Sequence, residues 1–246
     1  AAEFANVHFL GVGTPQRRGS YAADLTYVCA VIEDLVPLLE GDHVIFGKST
    51  VPVGTGDAVE KIIASGRPKG SFSVASNPEF LREGSAIDDF LFPDRVVIGV
   101  ENEIGRKPLM ALYGPLAEAA TPIVVTQRRS AELIKYASNA FLATKIMFIN
   151  ELADLCEKVG TDVGELALGV GLDHRIGSAF LKAGPGYGGS CFPKDTLALL
   201  RTAQDHGVAL RIVEETVAAN DARKRKMALK VLDAVGGDVD GKVIAV

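Results

Sequence analysis

The chain has 246 residues, 48% hydrophobic and 23% charged, which is enough apolar material for one large domain or two smaller ones. Its net charge of −5 gives no reason to expect a nucleic-acid partner, no apolar run is long enough to span a membrane, and no signal-peptide pattern opens it. Three widely spaced cysteines without a CxxC pair, and four histidines without HxxxH or HxH spacing, argue against a disulfide framework and a metal site and fit a reducing, cytoplasmic compartment.

The first half alternates short apolar runs with helical stretches. Val7 to Val12 reads as a strand ending at the turn Gly13-Thr14-Pro15, and Tyr21 to Leu39 reads as a helix. Val44 to Lys48 is a second strand, running into Ser49-Thr50, and Gly56 to Ala64 is helical. Phe72 to Ala75 is a third strand, closed by Ser76-Asn77-Pro78, and Arg95 to Val100 is a fourth. Strands alternating with helices imply βαβ units and a parallel sheet.

The second half changes character. Ser130 to Val159 contains no Pro or Gly, and Leu133, Ile134, Ala137, Phe141, Ile146, Ile149, Leu152, Ala153 and Cys156 follow helical spacing. Such a helix would be roughly 45 Å long, more than one domain needs, so it is expected to bridge domains or subunits. A Gly-rich segment, Gly184 to Cys191, follows, and then more helix. The basic run Arg223-Lys224-Arg225-Lys226, preceded by Asp221 and followed by an apolar pattern, reads as the solvated face of a helix. The first residue is not Met, and Gly241 to Val246 is an apolar run expected to form a strand that needs a partner, so the chain reads as the middle of a longer protein.

Gly184-Pro185-Gly186-Tyr187-Gly188-Gly189 matches GxGxxG by letter, but it follows no strand, and Pro185 and Pro193 spoil the helix opening a dinucleotide fingerprint requires. Gly11-Val12-Gly13 follows a strand but lacks the third glycine, so any such fingerprint is expected upstream of residue 1. Thr14, Ser49, Thr50 and Glu79 each closely follow a strand, where doubly wound sheets bind ligands; turn chemistry explains any one of them alone. Glu79 and Glu83, spaced i and i+4, either flank a ligand or belong to a helix cap with a surface salt bridge to Arg82, and the spacing alone favours the second. Lys135 and Asn139 share one helix face, which makes either an anion site or an exposed polar stripe. Cys191 follows a run of glycines and precedes Lys194 and Asp195. Glycines let a backbone approach a ligand and a nearby ammonium favours a nucleophilic thiolate, so Cys191 is either a nucleophile or a structural thiol. Cys29 and Cys156 sit in apolar helical patterns and read as small core residues.

Taken together, the chain resembles the UDP-glucose/GDP-mannose dehydrogenase family. The resemblance rests on Val12-Gly13-Thr14-Pro15, Lys48 to Thr55, Asn77 to Gly84, Pro93-Asp94-Arg95, Glu132 to Phe141 and Gly186 to Asp195, in family order across the chain. Gly-Tyr-Gly-Gly-Ser-Cys-Phe-Pro-Lys-Asp resembles the UDP-glucose branch; the GDP-mannose branch usually has Leu after the cysteine, and the UDP-N-acetylmannosamine branch His before it. The resemblance implies an α/β fold: the later part of a Rossmann-like, NAD-binding parallel sheet over residues 1–126, then an all-helical central domain over 127–236 with a long dimerisation helix. Residues 237–246 would then be the first strand of a nucleotide-sugar-binding domain.

The resemblance also implies NAD-dependent four-electron oxidation of UDP-glucose to UDP-glucuronate, through a thiohemiacetal and a thioester on Cys191. Lys135 and Asn139 would stabilise the oxyanion, Asp195 and Thr50 would hold a water, and Glu79 would assist hydrolysis. Thr14, Thr50, Glu83 and Lys194 would contact NAD. Glu79, Phe80, Leu81, Arg82, Lys135, Asn139, Phe180, Lys182 and Gly188 would contact substrate, with Arg175 reaching a neighbouring subunit's site in a homodimer. Two alternatives stand beside this one: a GDP-mannose or related nucleotide-sugar dehydrogenase with the same chemistry, and a non-catalytic dimerisation fragment.

Overall fold

A computed structural model describes residues 4–66 and 68–245. The chain divides into two compact units, one running up to Ser138 and including Gln204–His206, the other made of Asn139–Ala203 and the residues from Gly207 on. In the first unit, strands β1 (Val7–Leu10), β2 (His43–Gly47), β3 (Phe72–Ser76), β4 (Val96–Gly99) and β5 (Ile123–Thr126) form one sheet in sequential order. Helices α1 (Thr26–Leu35), α2 (Thr55–Ser65), α3 (Ala86–Leu91), α4 (Glu103–Leu112) and α5 (Gly114–Glu118) connect them.

β2 shows why the sheet is buried on both sides. Its side chains alternate, and His43 to Phe46 are all buried. Ile45 faces a core with Val28 and Ile32 of α1 and Val59 and Ile63 of α2. Val44 and Phe46 face a second core with Leu109 of α4 and Tyr113. Apolar residues on both faces of a central strand are the mark of a sheet covered by helices on both sides.

The expected parallel sheet is found in three of four pairings: β1 with β2, β2 with β3, and β4 with β5. β3 and β4 pair antiparallel at Ser76 and Gly99, so β4 and β5 run opposite to the rest. A parallel return needs a crossover element packed on the sheet. The only helix between β3 and β4 is α3, which has six residues and buries none of them, so it cannot serve as one. The first helix is also shorter than its apolar pattern. Residues 17–22 instead make a turn closed by Arg17 N–H to Ala22 O (2.9 Å), and Pro37 tightens the far end into a 3-10 turn, Val36–Leu38.

The long helix α6 runs Arg128–Val159, 32 residues. It is followed by α7 (Val163–Gly171), α8 (Phe192–Asp205) and α9 (Arg211–Ala234). The strand expected over 241–246 is not found: 242–245 pair with no edge, and Val246 lies outside the described residues. An apolar run becomes a strand only where a neighbouring strand takes up its backbone groups. No helix among the described residues is long and apolar enough to cross a membrane.

The end of β4 packs tightly on the first turn of α6. A Cβ added at Gly99 would lie 2.6 Å from Ala131 Cβ and 2.8 Å from Arg128 Cα. Backbone cannot give way cheaply, so Gly99→Ala should destabilise the protein by about 1–3 kcal/mol. A urea midpoint unchanged from that of the unaltered protein would contradict this seat for α6.

Candidate active site

In the first unit the polar groups collect at the carboxyl ends of β1 to β3. Thr14, beyond β1, is buried and donates its hydroxyl to Thr50 O (2.7 Å). Ser49 donates to Val12 O (2.6 Å), so the loop after β2 is tied to the loop after β1. After β3, Asn77 is fully buried and its amide donates to Val97 O (2.8 Å). Glu79 follows, with one oxygen accepting from Leu81 N–H (2.6 Å) and the other 3.4 Å from Lys135 Nζ. Lys135 is buried on α6, and its ammonium also lies 5.3 Å from the centre of the Phe80 ring, whose other neighbour is Arg95 at 3.8 Å.

Residues 77–82 form no helix, and residues 83–85 make a turn. Glu79 and Glu83 therefore share no helix face, which corrects the expectation drawn from their spacing. Arg82 pairs with Asp89 of α3, donating its backbone N–H (2.8 Å) and Nε (3.1 Å) to that carboxylate. This pair holds Asp89 down at about 2, the hydrogen bond from Arg82 being the largest cause. Leu81 and Glu83 are exposed.

Lys48 was not singled out by sequence, although it heads the Lys-Ser-Thr segment. Its ammonium donates to Asn77 Oδ1 (3.1 Å) and Tyr113 OH (3.3 Å). Burial is the largest influence on it and lowers it to about 8; the Glu79 carboxylate resists this and the Lys135 charge adds to it. Two lysines thus stand around one glutamate, leaving a net positive centre suited to an anion.

The second unit holds the other group. Asn139, one turn beyond Lys135 on α6, donates to Asp195 Oδ2 (2.6 Å), and Lys194 donates to Asp195 Oδ1 (2.6 Å). Asp195 has no exposed surface, so both its oxygens are matched by donors, as a buried carboxylate requires. Cys191 is half-buried at the start of α8, where its carbonyl accepts the Asp195 N–H (2.8 Å) and Ser190 Oγ lies 3.7 Å from its sulfur. Lys194, the ammonium expected near the thiol, pairs with Asp195.

The Gly-rich loop is held from α9 and α6 by residues the sequence did not mark as belonging to the site. Asn220 accepts from Tyr187 N–H (2.8 Å) and donates to Tyr187 O (3.1 Å). Asn150 accepts from Gly184 N–H (2.8 Å). Arg223 donates to Gly184 O (2.5 Å) and Asn150 O (2.9 Å). Arg223 is therefore buried and departs from the solvated reading of the basic run, which holds for Lys224, Arg225 and Lys226, all exposed, the last paired with Asp154 (2.8 Å). Gly186 has φ +121° and a Cβ there would sit 2.6 Å from Asn220 Oδ1, so only glycine fits. Phe180 packs edge-on to Phe192, while Lys182 and Gly188 are exposed, and Arg175 is exposed and paired with Asp173 (2.6 Å). Among the described residues no group of three or more His, Cys, Asp or Glu could hold a metal ion.

Comparison with known proteins matches residues 1–117 to the UDP-glucose/GDP-mannose dehydrogenase family, NAD binding domain, and residues 129–222 to the central domain of that family. The chain is 59% identical over its whole length to UDP-glucose 6-dehydrogenase of Rhizobium meliloti, spanning 57% of that protein. It is 51% identical over 98% of its length to UDP-glucose 6-dehydrogenase of Rickettsia felis, spanning 53% of it. The solved UDP-glucose dehydrogenase of Pyrobaculum islandicum is 40% identical with TM-score 0.90, over 96% of this chain and 55% of that one. The chain thus spans a little over half the length of the relatives it matches.

The state of Lys48 makes a pH prediction. Between about 8 and a lysine's ordinary 10.5 the native state binds fewer protons than the unfolded state, so this group makes stability rise with pH. Lys48→Met removes that contribution. The unaltered protein should gain stability relative to the variant across that window in denaturant titrations. A difference constant from pH 7 to 11 contradicts the burial of a charged Lys48.

Proposed function

This chain belongs to the UDP-glucose/GDP-mannose dehydrogenase family, and we propose that it carries the catalytic groups for NAD-dependent oxidation of UDP-glucose to UDP-glucuronate. The observation that supports this best is the buried pairing of Asn139 and Lys194 on Asp195, immediately behind Cys191. Family relatives at 59% and 51% identity bearing the UDP-glucose 6-dehydrogenase name favour the glucose sugar nucleotide over GDP-mannose.

The strand ends suit a dinucleotide. A Cβ added at Gly11 or Gly13 would meet nothing within 4 Å, which leaves the backbone after β1 open to a ligand beside Thr14 and Thr50. NAD, when bound, accepts a hydride in each of two oxidations. Thr14, Thr50, Glu83 and Lys194 are the proposed contacts to it. Phe80, Leu81, Arg82, Phe180, Lys182 and Gly188 are the proposed contacts to the sugar nucleotide, joined by Arg175 from a second subunit.

In the first oxidation the sugar 6-hydroxyl loses a proton to a water held by Asp195 and Thr50, and its carbon loses a hydride, giving an aldehyde. The Lys135 ammonium stabilises the developing oxyanion, supported by Asn139. The Cys191 thiolate then adds to the aldehyde and forms a thiohemiacetal. A second hydride loss gives a thioester. Water, assisted by Glu79, cleaves the carbon–sulfur bond, releasing the acid and restoring the thiol. Covalent attachment keeps the reactive aldehyde on the protein.

A homodimer through α6 belongs to this reading. Leu133, Phe141, Phe148, Leu155 and Val159 recur at helical spacing along α6 and are exposed, Phe141 by 67%. A continuous apolar row on one helix is a face that a second copy would cover. Phe141→Lys should therefore shift the protein toward monomer in sedimentation at micromolar concentration; an unchanged dimer contradicts this placement of the interface.

The chemistry is tested by Cys191→Ala in the whole protein. Formation of the acid should be abolished, while the first hydride transfer, which needs no thiol, continues slowly. The same change at Cys29 or Cys156 should leave turnover within about twofold, at a stability cost of up to a few kcal/mol. Near-normal acid formation by Cys191→Ala would exclude the thioester.

A further inference from the structure

We infer that Glu132 is a positioning residue: its carboxylate latches the loop between β2 and α2, which carries Thr50, to the helical turn that carries Lys135. The inference rests on the roles proposed above for Thr50 and Lys135. Its structural side stands on contacts within the first unit.

The first amides of a helix need acceptors, usually from a side chain at the N-cap. In α2 the N-cap is Gly54, which has φ +92° and no side chain to offer. Glu132 supplies the acceptor from α6 instead. Its Oε2 accepts from Gly54 N–H (2.6 Å) and its Oε1 from Gly56 N–H (2.8 Å). The approach is close: a Cβ added at Gly56 would lie 3.2 Å from both Glu132 Oε1 and Arg128 Cδ. Glu132 is 3% exposed, so its charge is stabilised by these two amides and by little water.

The start of the same loop is fixed on the β1 side, by Ser49 to Val12 O and by Thr14 to Thr50 O. Glu132 fixes its end to α6. Apolar packing leaves slack between them, since a cavity of ≈ 20 Å³, room for about one water, is lined by Ser49, Val51, Thr55, Ser76 and Glu132. Three residues along α6 from Glu132, Lys135 faces Glu79. One helical segment therefore holds the loop with one side chain and aims the ammonium with the next.

The latch is sensitive to pH. Arg128 and Arg129 on α6 and Asp57 on α2 are the charged groups that face Glu132; Asp57 and Glu60 in turn engage Arg128. Burial outweighs the two amide bonds and raises the Glu132 carboxyl to about 7. Protonation below that value removes an acceptor and frees one amide, so turnover should fall as pH falls through it.

The test uses Glu132→Gln in the whole protein, which keeps one acceptor oxygen and sets an NH₂ against the second amide. Amide exchange by NMR should speed up by about tenfold or more at Gly54 or Gly56 and stay unchanged in β2 and β3. The kcat for NADH formation from UDP-glucose should fall by about 10- to 100-fold, as for a misplaced catalytic group, with KM within about threefold. The inflection of kcat near pH 7 should be lost in the variant. Arg106→Gln, which removes an exposed ion pair with Glu103 on α4, should change none of these readouts. Unchanged exchange in Glu132→Gln overturns the latch, and an equal kcat loss in Arg106→Gln overturns the positioning role. If the unaltered protein oxidises no sugar nucleotide, the reading of the site fails, and the exchange result alone then supports or overturns the latch.

Discussion

Buried polar side chains along α6 anchor the candidate groups within each of the two units. Arg128, Glu132, Lys135 and Asn139 follow one another at spacings of four, three and four residues, and each is at most 6% exposed. That spacing puts them on one helix face. Each would be costly to bury alone, and each has a dedicated partner. Arg128 donates to Asp57 of α2 and to Val74 O of β3, Glu132 accepts from Gly54 and Gly56, Lys135 faces Glu79, and Asn139 donates to Asp195. Moving any one partner would leave a buried polar group unmatched, so the row fixes the loops that carry the candidate catalytic groups.

Burial of charge recurs with a different balance at each position. Asp195 has both oxygens matched, by an amide and an ammonium. Glu132 has two backbone amides and is still raised, because burial exceeds what two neutral donors return. Lys48 is lowered chiefly by burial, with a second lysine adding to this; Glu79 resists it, and its direct contacts are a neutral amide oxygen and a phenol. Glu132, raised to about 7, and Lys48, lowered to about 8, are thereby brought toward neutral pH, the range in which proton transfer at a site is useful.

Much of this was legible in the sequence. The strands β1 to β4, the helix α2 and the long α6 follow from apolar periodicity, because each buries an entire face. β5 was missed: it is four residues at the edge, only partly buried, and leaves no alternating pattern. The reversal at β4 depends on which helix packs on the sheet, and α3 does not, a tertiary fact that periodicity does not encode. Lys135 and Asn139 were visible as an i, i+4 pair. Extending that pair back by three and four residues would have found Glu132 and Arg128. Asn150, Asn220 and Arg223 had no such mark, because their partners are backbone groups of the Gly-rich loop far away in sequence.

The central claim is that Cys191 carries the sugar carbon between two oxidations. Slowing the last step by Glu79→Gln should make that intermediate accumulate when NAD and UDP-glucose are supplied. Intact-protein mass spectrometry should then show the mass of one UDP-glucuronyl group, and digestion should locate it on the peptide containing Cys191. An unmodified Cys191 peptide, recovered while UDP-glucuronate is still being formed, would contradict the account.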